Sequence, residues 1–163
     1  MDKNKAIVQY LLQCPEIQNN PLFFNFADVQ DNNKQIVTVA NDKSVDRPYI
    51  DGTVRRRYAF TIMDYKSIAY NAIVKIEGTS VDYTDENILD MMDTQSILDW
   101  VTLQNKNKNF PDFGSDCEVE SIEAVTDNPN LNGVDTNTTP AVARYSITIE
   151  VYYLDKSEVI WGR

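Results

Sequence analysis

Residues 143–155 alternate between apolar and polar side chains more regularly than any other part of the chain. One set of alternate positions holds Tyr145, Ile147, Ile149, Val151 and Tyr153, and the other holds Arg144, Ser146, Thr148, Glu150 and Tyr152. A period of two residues is typical of a β-strand, in which successive side chains point to opposite faces. The pattern therefore predicts a long strand close to the C-terminus.

A second long strand is predicted at 53–64, directly after the turn signal Asp51-Gly52. Its two faces would carry Val54, Arg56, Tyr58, Phe60 and Ile62 on one side, and Arg55, Arg57, Ala59, Thr61 and Met63 on the other. Shorter strands are expected at 22–26, 34–40 and 117–126, with a further short strand within 67–78. Polar composition predicts loops at 41–52 and 127–140.

Helical spacing appears in two places. Near the N-terminus, one helical face would carry Ile7, Tyr10, Leu11 and Cys14. Pro15 is expected to stop that helix. Residues 84–105 are predicted to be helical with Thr84 as the N-cap, and a shift in the apolar spacing at Asp93-Thr94 predicts a break into two shorter helices. The order of elements predicts an α+β fold, a mostly antiparallel β-sheet flanked by an N-terminal helix and a central helix pair.

Length and charge limit the classes of protein that this chain can belong to. Its 163 residues suit one domain, 1–163. The net charge of −10 disfavours sequence-specific DNA binding, although DNA can pass an acidic surface without sticking to it. No apolar run is long enough to span a membrane, and the first apolar run is too short for a signal peptide. Cys14 and Cys117 are expected to be reduced thiols in a cytosolic setting.

The residue types argue against catalysis and metal binding. The chain has no histidine, which excludes Ser-His-Asp and Cys-His catalysis and most zinc sites. Asp112-Phe113-Gly114 matches the metal-binding triplet of protein kinases, but the other kinase motifs are missing, so a helix-to-strand turn is predicted. The asparagine-rich run from Asn128 resembles a calcium loop, but Thr139 stands where the bidentate glutamate belongs. No enzymatic activity, metal or cofactor is expected.

A cluster of acidic residues has the same plain interpretation. Glu118, Glu120 and Glu123 lie close together in sequence. A carboxylate pair for acid–base chemistry needs one desolvated member, and nothing in the sequence requires that. The cluster predicts a solvated sheet edge that also discourages aggregation.

Three consecutive arginines are the densest positive feature of this acidic chain. Strand geometry would place Arg55 and Arg57 on one face and Arg56 on the other. Cross-strand ion pairing with nearby acids and contact with an acidic surface of a partner or neighbouring copy are both open interpretations. The full set of candidate interface residues is Arg55, Arg56, Arg57, Asn130, Asn132, Asp135, Arg144 and Trp161.

Several motifs occur in an order that resembles a known family. They are a helix ending in Cys14-Pro15, Asp51-Gly52-Thr53-Val54-Arg55-Arg56 opening a long aromatic strand, Ile97-Leu98-Asp99-Trp100-Val101 running into Gln104-Asn105-Lys106 and then Asn109-Phe110-Pro111, and Thr139-Pro140-Ala141 before Ala143-Arg144-Tyr145-Ser146-Ile147. This order resembles the tail terminator or minor capsid (neck) proteins of tailed phages and prophages of Gram-positive bacteria. The resemblance covers most of the chain.

The resemblance implies a structural role in the virion. Such a protein would form a homo-oligomeric, hexameric ring that caps the tail tube and joins the tail to the head connector. Its partners would be copies of itself, tail tube and sheath proteins, the connector, and genomic DNA passing through the lumen without sequence-specific binding. It would assemble in the cytoplasm of the bacterial host and remain in the tail or neck of the virion.

Other functions remain open from the sequence. Within the same class, the chain would be another neck component, such as a head-tail stopper or adaptor. Outside it, the alternatives are a cytosolic binding module without a virion role and a small enzyme that relies on carboxylates alone.

Overall fold

The computed structural model describes residues 2–18, 22–24, 34–38, 45–67, 73–75, 82–136 and 141–157. Its helices are α1 (Lys3–Leu11), α2 (Pro15–Gln18) and α3 (Asp85–Asn107). Its strands are β1 (Leu22–Phe24), β2 (Lys34–Thr38), β3 (Val45–Pro48), β4 (Val54–Ser67), β5 (Ile73–Lys75), β6 (Asp82–Thr84), β7 (Cys117–Ala124), β8 (Asn130–Asp135) and β9 (Val142–Asp155).

Two strands of 14 residues form the centre of the main sheet. β4 and β9 are antiparallel and pair along their whole lengths, from Val54 opposite Asp155 to Ser67 opposite Val142. These are the two long strands that the alternating pattern predicts. A strand this long can satisfy its backbone groups only if partners also cover its other edge.

Pairs of short strands cover those outer edges. β3 and β2 lie one after the other along β4, and β7 and β8 do the same along β9. β1 adds to β2 in parallel, whereas the other pairings of this seven-stranded sheet are antiparallel. β5 and β6 form a separate antiparallel pair. The expected α+β fold with a mostly antiparallel sheet is confirmed.

The core lies between one face of the sheet and the helices. Asp2 caps α1 by accepting a hydrogen bond from the backbone N–H of Asn4 at 2.9 Å. The helices contribute Ala6, Ile7, Tyr10, Leu11, Ile17, Ile97, Leu98 and Val101 to the core, the α1–α2 connection contributes Cys14, and the sheet contributions include Ile36, Phe60, Ile62, Ile122, Ile147, Ile149 and Val151. Full burial of each large aliphatic side chain stabilises the fold by about 1.5 to 3 kcal/mol. The alternation in β4 and β9 therefore has its physical cause in this core.

The Asp112-Phe113-Gly114 triplet is a turn between α3 and β7, as predicted. The Asp112 carboxylate accepts a hydrogen bond from the backbone N–H of Gly114 at 2.9 Å. Gly114 has a φ of 98°, which favours glycine. Phe113 is buried edge-on against Tyr153, with ring centroids 5.2 Å apart. The triplet thus closes one end of the core.

The predicted helix pair is wrong, because α3 is one 23-residue helix. The apolar spacing shifts at Asp93 and Thr94 for a different reason. Thr94 is fully buried and its hydroxyl donates to the Asp64 carboxylate at 3.0 Å. A polar residue therefore takes a core-facing position of the helix without interrupting its backbone.

Pro15 acts differently from the prediction as well. α1 ends at Leu11, before the proline, and Pro15 is the first residue of α2. Proline is favoured at the first position of a helix, because its missing N–H has no partner there and its φ is already helical.

Two segments predicted as loops contain strands. β3 lies within 41–52, and β8 lies within 127–140. All four side chains of β3 are exposed, so neither apolar residues nor alternation mark it in the sequence. Both strands form because the outer edges of β4 and β9 offer unpaired backbone groups. Phe26, Val39 and Ala40, which the shorter predicted strands included, lie outside the described residues.

Candidate interaction surface

Arg55 is held at the centre of an ion-pair network on the sheet face that points away from α1 and α3. Its guanidinium bonds the Asp46 carboxylate from β3, and its Nε donates to Glu120 of β7 at 2.8 Å. It also lies over the ring of Tyr152, 4.5 Å from the centroid. The hydrogen bonds to Glu120 and Asp46 raise the pKa of Arg55 above its ordinary value.

Arg57 joins the same network one position further along the face. Its Nη1 lies 3.1 Å from the Glu150 carboxylate of β9. The Tyr152 hydroxyl donates to the other oxygen of Glu150 at 2.7 Å, and this hydrogen bond raises the pKa of Tyr152. We call the connected side chains the open-face network: Asp46, Arg55, Arg57, Glu120, Glu150 and Tyr152.

Arg56 points to the opposite face, as the alternation predicts. Its Nε donates to the Asp155 carboxylate at 2.8 Å. Burial opposes ionisation of Asp155, but hydrogen bonds from Ser157 and Arg56 outweigh it and lower the pKa of this carboxyl. Cross-strand ion pairing is thus confirmed for all three arginines. Ion pairs exposed to this degree contribute only about 0 to 1 kcal/mol to stability. Contact between these arginines and a partner stays a prediction.

The remaining interface candidates lie at the other end of the sheet or outside the described residues. Asn130 and Asp135 are in β8, and Asn132 falls where the β8–β9 register shifts. Arg144 is in β9 and pairs with Gly133 of β8. Trp161 lies outside the described residues.

Arg144 has an unusual surrounding for a charged side chain. It stands opposite Tyr65 of β4, which is only 4% exposed. In the described part of the chain, its buried Nε has no hydrogen-bond partner. Gly133 has a φ of +127°, and a Cβ at that position would lie 3.2 Å from Arg144 Nη2. The glycine therefore makes room for the guanidinium.

The candidate residues thus fall into two groups. Arg55 and Arg57 stand opposite Leu154 and Tyr152 near the start of β4, whereas Arg144 stands opposite Tyr65 near its end. The 14-residue pairing of β4 with β9 separates the groups along the sheet.

No protein-family model matches this chain, and a search of curated proteins finds no match either. Across the described residues, no cluster of three or more cysteine, aspartate or glutamate side chains is arranged to hold a metal ion. No helix in the described ranges is long and apolar enough to cross a membrane.

A buried polar cluster escaped the sequence prediction. Lys34 Nζ of β2 lies 3.4 Å from Asp64 Oδ1 of β4, and both side chains are almost fully enclosed. Among the described residues, no group donates a hydrogen bond to Asp64 Oδ1, whereas the Thr94 hydroxyl donates one to Oδ2. Lys66 continues the chain of charges to Asp93 at 3.6 Å.

The cluster is built to hold elements together. Burial raises the pKa of Asp64, and the nearby charges of Lys34 and Lys66 oppose that rise. A raised carboxyl pKa is common at catalytic sites, but it also occurs in structural ion-pair networks, and the Asp64 side chain is 0% exposed. The contacts join β2, β4 and α3. A signal existed in the sequence, because Asp64 continues the buried phase of Phe60 and Ile62.

Proposed function

We propose that the chain is a structural virion protein, a tail terminator that assembles as a hexameric ring, caps the tail tube and joins the tail to the head connector. The family resemblance in motif order suggests this role. The observation that carries it is the separation of the candidate contact residues into two groups, one around Arg55 and Arg57 and one around Arg144.

A ring places a specific demand on each subunit. Head-to-tail contacts close a cycle only if each copy offers two different surfaces that complement each other. Stable contacts bury about 800 Å² on each partner, which the ends of a sheet built on 14-residue strands can provide. The two separated groups of candidate contact residues support the proposal because they give each subunit two different surfaces.

The edges of the sheet favour contact through side chains. Pro48 ends β3, and proline cannot donate a backbone hydrogen bond to an added strand. On β7, Glu118 and Glu120 are exposed, and the Asn105 side chain accepts the backbone N–H of Ile122 at 3.1 Å. Charge, proline and capping all discourage pairing of edge strands. Copies of this chain are therefore expected to contact each other through side chains rather than by pairing β3 or β7 with a strand of another copy.

The surplus of acidic residues is compatible with a channel for DNA. At a net charge of −10, the subunit repels the phosphate backbone. Such repulsion lets a genome traverse a lumen without sticking to its wall. In this role the partners are the tail tube, the sheath, the connector and the passing genome, and the protein resides in the tail or neck after assembly in the host cytoplasm.

Mass measurement by light scattering tests the proposed ring. The protein is measured alone and after mixing with purified tail tubes of the phage or prophage that encodes it. We expect a particle of about six copies of the 18.7 kDa chain, formed alone or on the tubes. A protein that stays monomeric and does not bind the tubes would contradict the proposal and favour a stopper, an adaptor or a binding module.

A further inference from the structure

The turn between β3 and β4 holds an apolar side chain in water. Ile50 at its tip is 96% exposed. The turn itself is fixed by three hydrogen bonds: Tyr49 N–H to Thr53 O at 2.9 Å, Gly52 N–H to Tyr49 O at 3.2 Å, and Thr53 N–H to the Asp51 carboxylate at 2.9 Å. Gly52 has a φ of 89°, which favours glycine. The turn thus presents a large apolar side chain in a fixed position, from which it can insert as an anchor into a pocket of a partner.

A groove of about 850 Å³ lies directly beside this anchor. Pro48, Tyr49 and Leu154 give it apolar walls, and Asp51 and Lys156 also line it with opposite charges. Glu120 lines it as well, but Arg55 neutralises that carboxylate. Ile50 also lines this groove, which is open to solvent and has a volume within the range of small-molecule clefts.

The anchor and the groove occupy the same corner of the molecule, an arrangement that fits a second copy of this chain. In a twofold contact the same patch meets itself, so that residue i of one copy touches residue j of the other and the reverse. A patch with both a projecting isoleucine and a receiving groove satisfies that condition. We propose that two copies of this chain associate through this corner, with Ile50 of each in the groove of the other and Asp51 of each facing Lys156 of the other.

Charge favours the same partner at this place. Copies of a chain with a net charge of −10 repel each other in general. In a twofold contact at this corner, Asp51 of each copy faces Lys156 of the other, and these two attractions offset part of the repulsion. Lys156 already pairs with Glu118, but both side chains are about half exposed, so exchange of the carboxylate partner is easy. This contact goes beyond the proposed ring and does not depend on it.

Sedimentation equilibrium over a range of protein concentrations tests the contact. The wild type is expected to form a dimer of twice the 18.7 kDa chain mass. Ile50→Ser should weaken the dimer at least about tenfold, because two isoleucines return to water for each dimer. Leu131→Ser is the matched control, since Leu131 is 59% exposed at the opposite end of the sheet, and it should leave the dimer unchanged. Circular dichroism checks that both variants are folded.

A second variant tests the charges while sparing the turn. Asp51→Asn keeps a side-chain oxygen for the Thr53 N–H but loses the charge facing Lys156. It should weaken the dimer and reduce its sensitivity to salt. A wild type that stays monomeric up to about millimolar concentration, or a dimer that Ile50→Ser does not weaken, overturns the proposal.

The outcomes for the dimer and the ring are separable. If wild type and Ile50→Ser both cap tail tubes as rings but no dimer exists, the twofold contact is refuted and the tail terminator role stands. If a dimer sensitive to Ile50→Ser forms and no ring appears on tubes, the twofold contact stands and the proposed function is refuted.

Discussion

Lys34 and Asp64 form an ion pair in which the lysine is 2% exposed and the aspartate 0% exposed. Lys34 comes from β2 and Asp64 from the central strand β4, so the pair ties an outer strand to the middle of the sheet. Burying two charges is expensive, and removing one partner leaves the other charge without compensation. The pair joins β2 to β4 at directly opposed positions, and removal of one partner is expected to cost more than the intact pair contributes.

Lys34→Met should destabilise the protein by about 3 to 5 kcal/mol at neutral pH, because Asp64 loses its closest cation. The double variant Lys34→Met/Asp64→Leu should recover most of this loss, since an apolar pair of similar size needs no compensation. Urea unfolding measures both free energies. If the double variant is less stable than Lys34→Met alone, the ion pair is not the reason for the loss.

The stability contribution of Asp64 should depend on pH. Burial raises its pKa above the value of about 3.9 for an unfolded aspartate. A carboxyl with a raised folded pKa contributes stability below the unfolded pKa and loses it as pH rises through the folded pKa. The free energy of unfolding of Asp64→Asn should therefore rise relative to wild type as pH increases above the ordinary aspartate pKa of about 3.9. Urea titrations across this range measure the difference, and a difference that falls with pH contradicts the assigned direction.

The long elements could be predicted from the sequence because burial of one side gives each of them a periodic pattern of apolar residues. β4 and β9 alternate, and α1 and α3 have apolar residues at helical spacing, since one side of each meets the core. β3 and β8 could not be predicted. Their formation depends on the free edges of distant strands. The side chains of β3 are all exposed, so burial imposes no alternation on that strand. The predicted break in α3 is wrong because the shift in apolar spacing at Asp93-Thr94 arises from a polar residue in a core-facing position, where the Thr94 hydroxyl donates to Asp64.

The sequence predicts which face of the sheet each arginine of the candidate interaction surface lies on, but not which carboxylates bind it. Alternation alone assigns Arg55 and Arg57 to one face and Arg56 to the other. The carboxylates that bind them could not be assigned, because Glu120 and Glu150 are 65 and 93 residues away from their arginines along the chain. Pairing at such separations follows from sheet order, which a single sequence does not reveal.

The two cysteines should react at very different rates. Cys14 is 0% exposed, and burial raises the pKa of its thiol to about 11. Cys117 is partly exposed, although burial also raises its pKa. At pH 8, Ellman's reagent should label Cys117 in the folded protein, while Cys14 reacts only after unfolding. Cys14→Ser and Cys117→Ser variants assign each rate, and fast labelling of the Cys117→Ser variant would contradict the buried position of Cys14.

Gly133→Ala should destabilise the fold by about 1 to 3 kcal/mol. The new Cβ would meet Arg144 Nη2 at 3.2 Å, and a φ of +127° is unfavourable for alanine. Thermal unfolding measures the loss. Combining the change with Arg144→Ala should lower its effect, because the clash disappears while the backbone strain remains. Equal losses in both backgrounds would show that only the backbone conformation matters.

Replacing Arg55 and Arg57 together by glutamate tests the open-face network as a ring contact. The double variant loses three ion pairs and places new carboxylates beside Glu120 and Glu150, so any acidic partner surface would be repelled. We expect folded subunits that no longer assemble into rings, alone or on tail tubes. Lys106→Glu/Lys108→Glu is the matched control, because it changes the net charge equally at two exposed positions at the end of α3. Light scattering measures assembly and circular dichroism the fold. Rings that persist in Arg55→Glu/Arg57→Glu, or that are lost equally in the control, would remove this surface from the proposed ring and leave the arginines with a role inside the subunit alone.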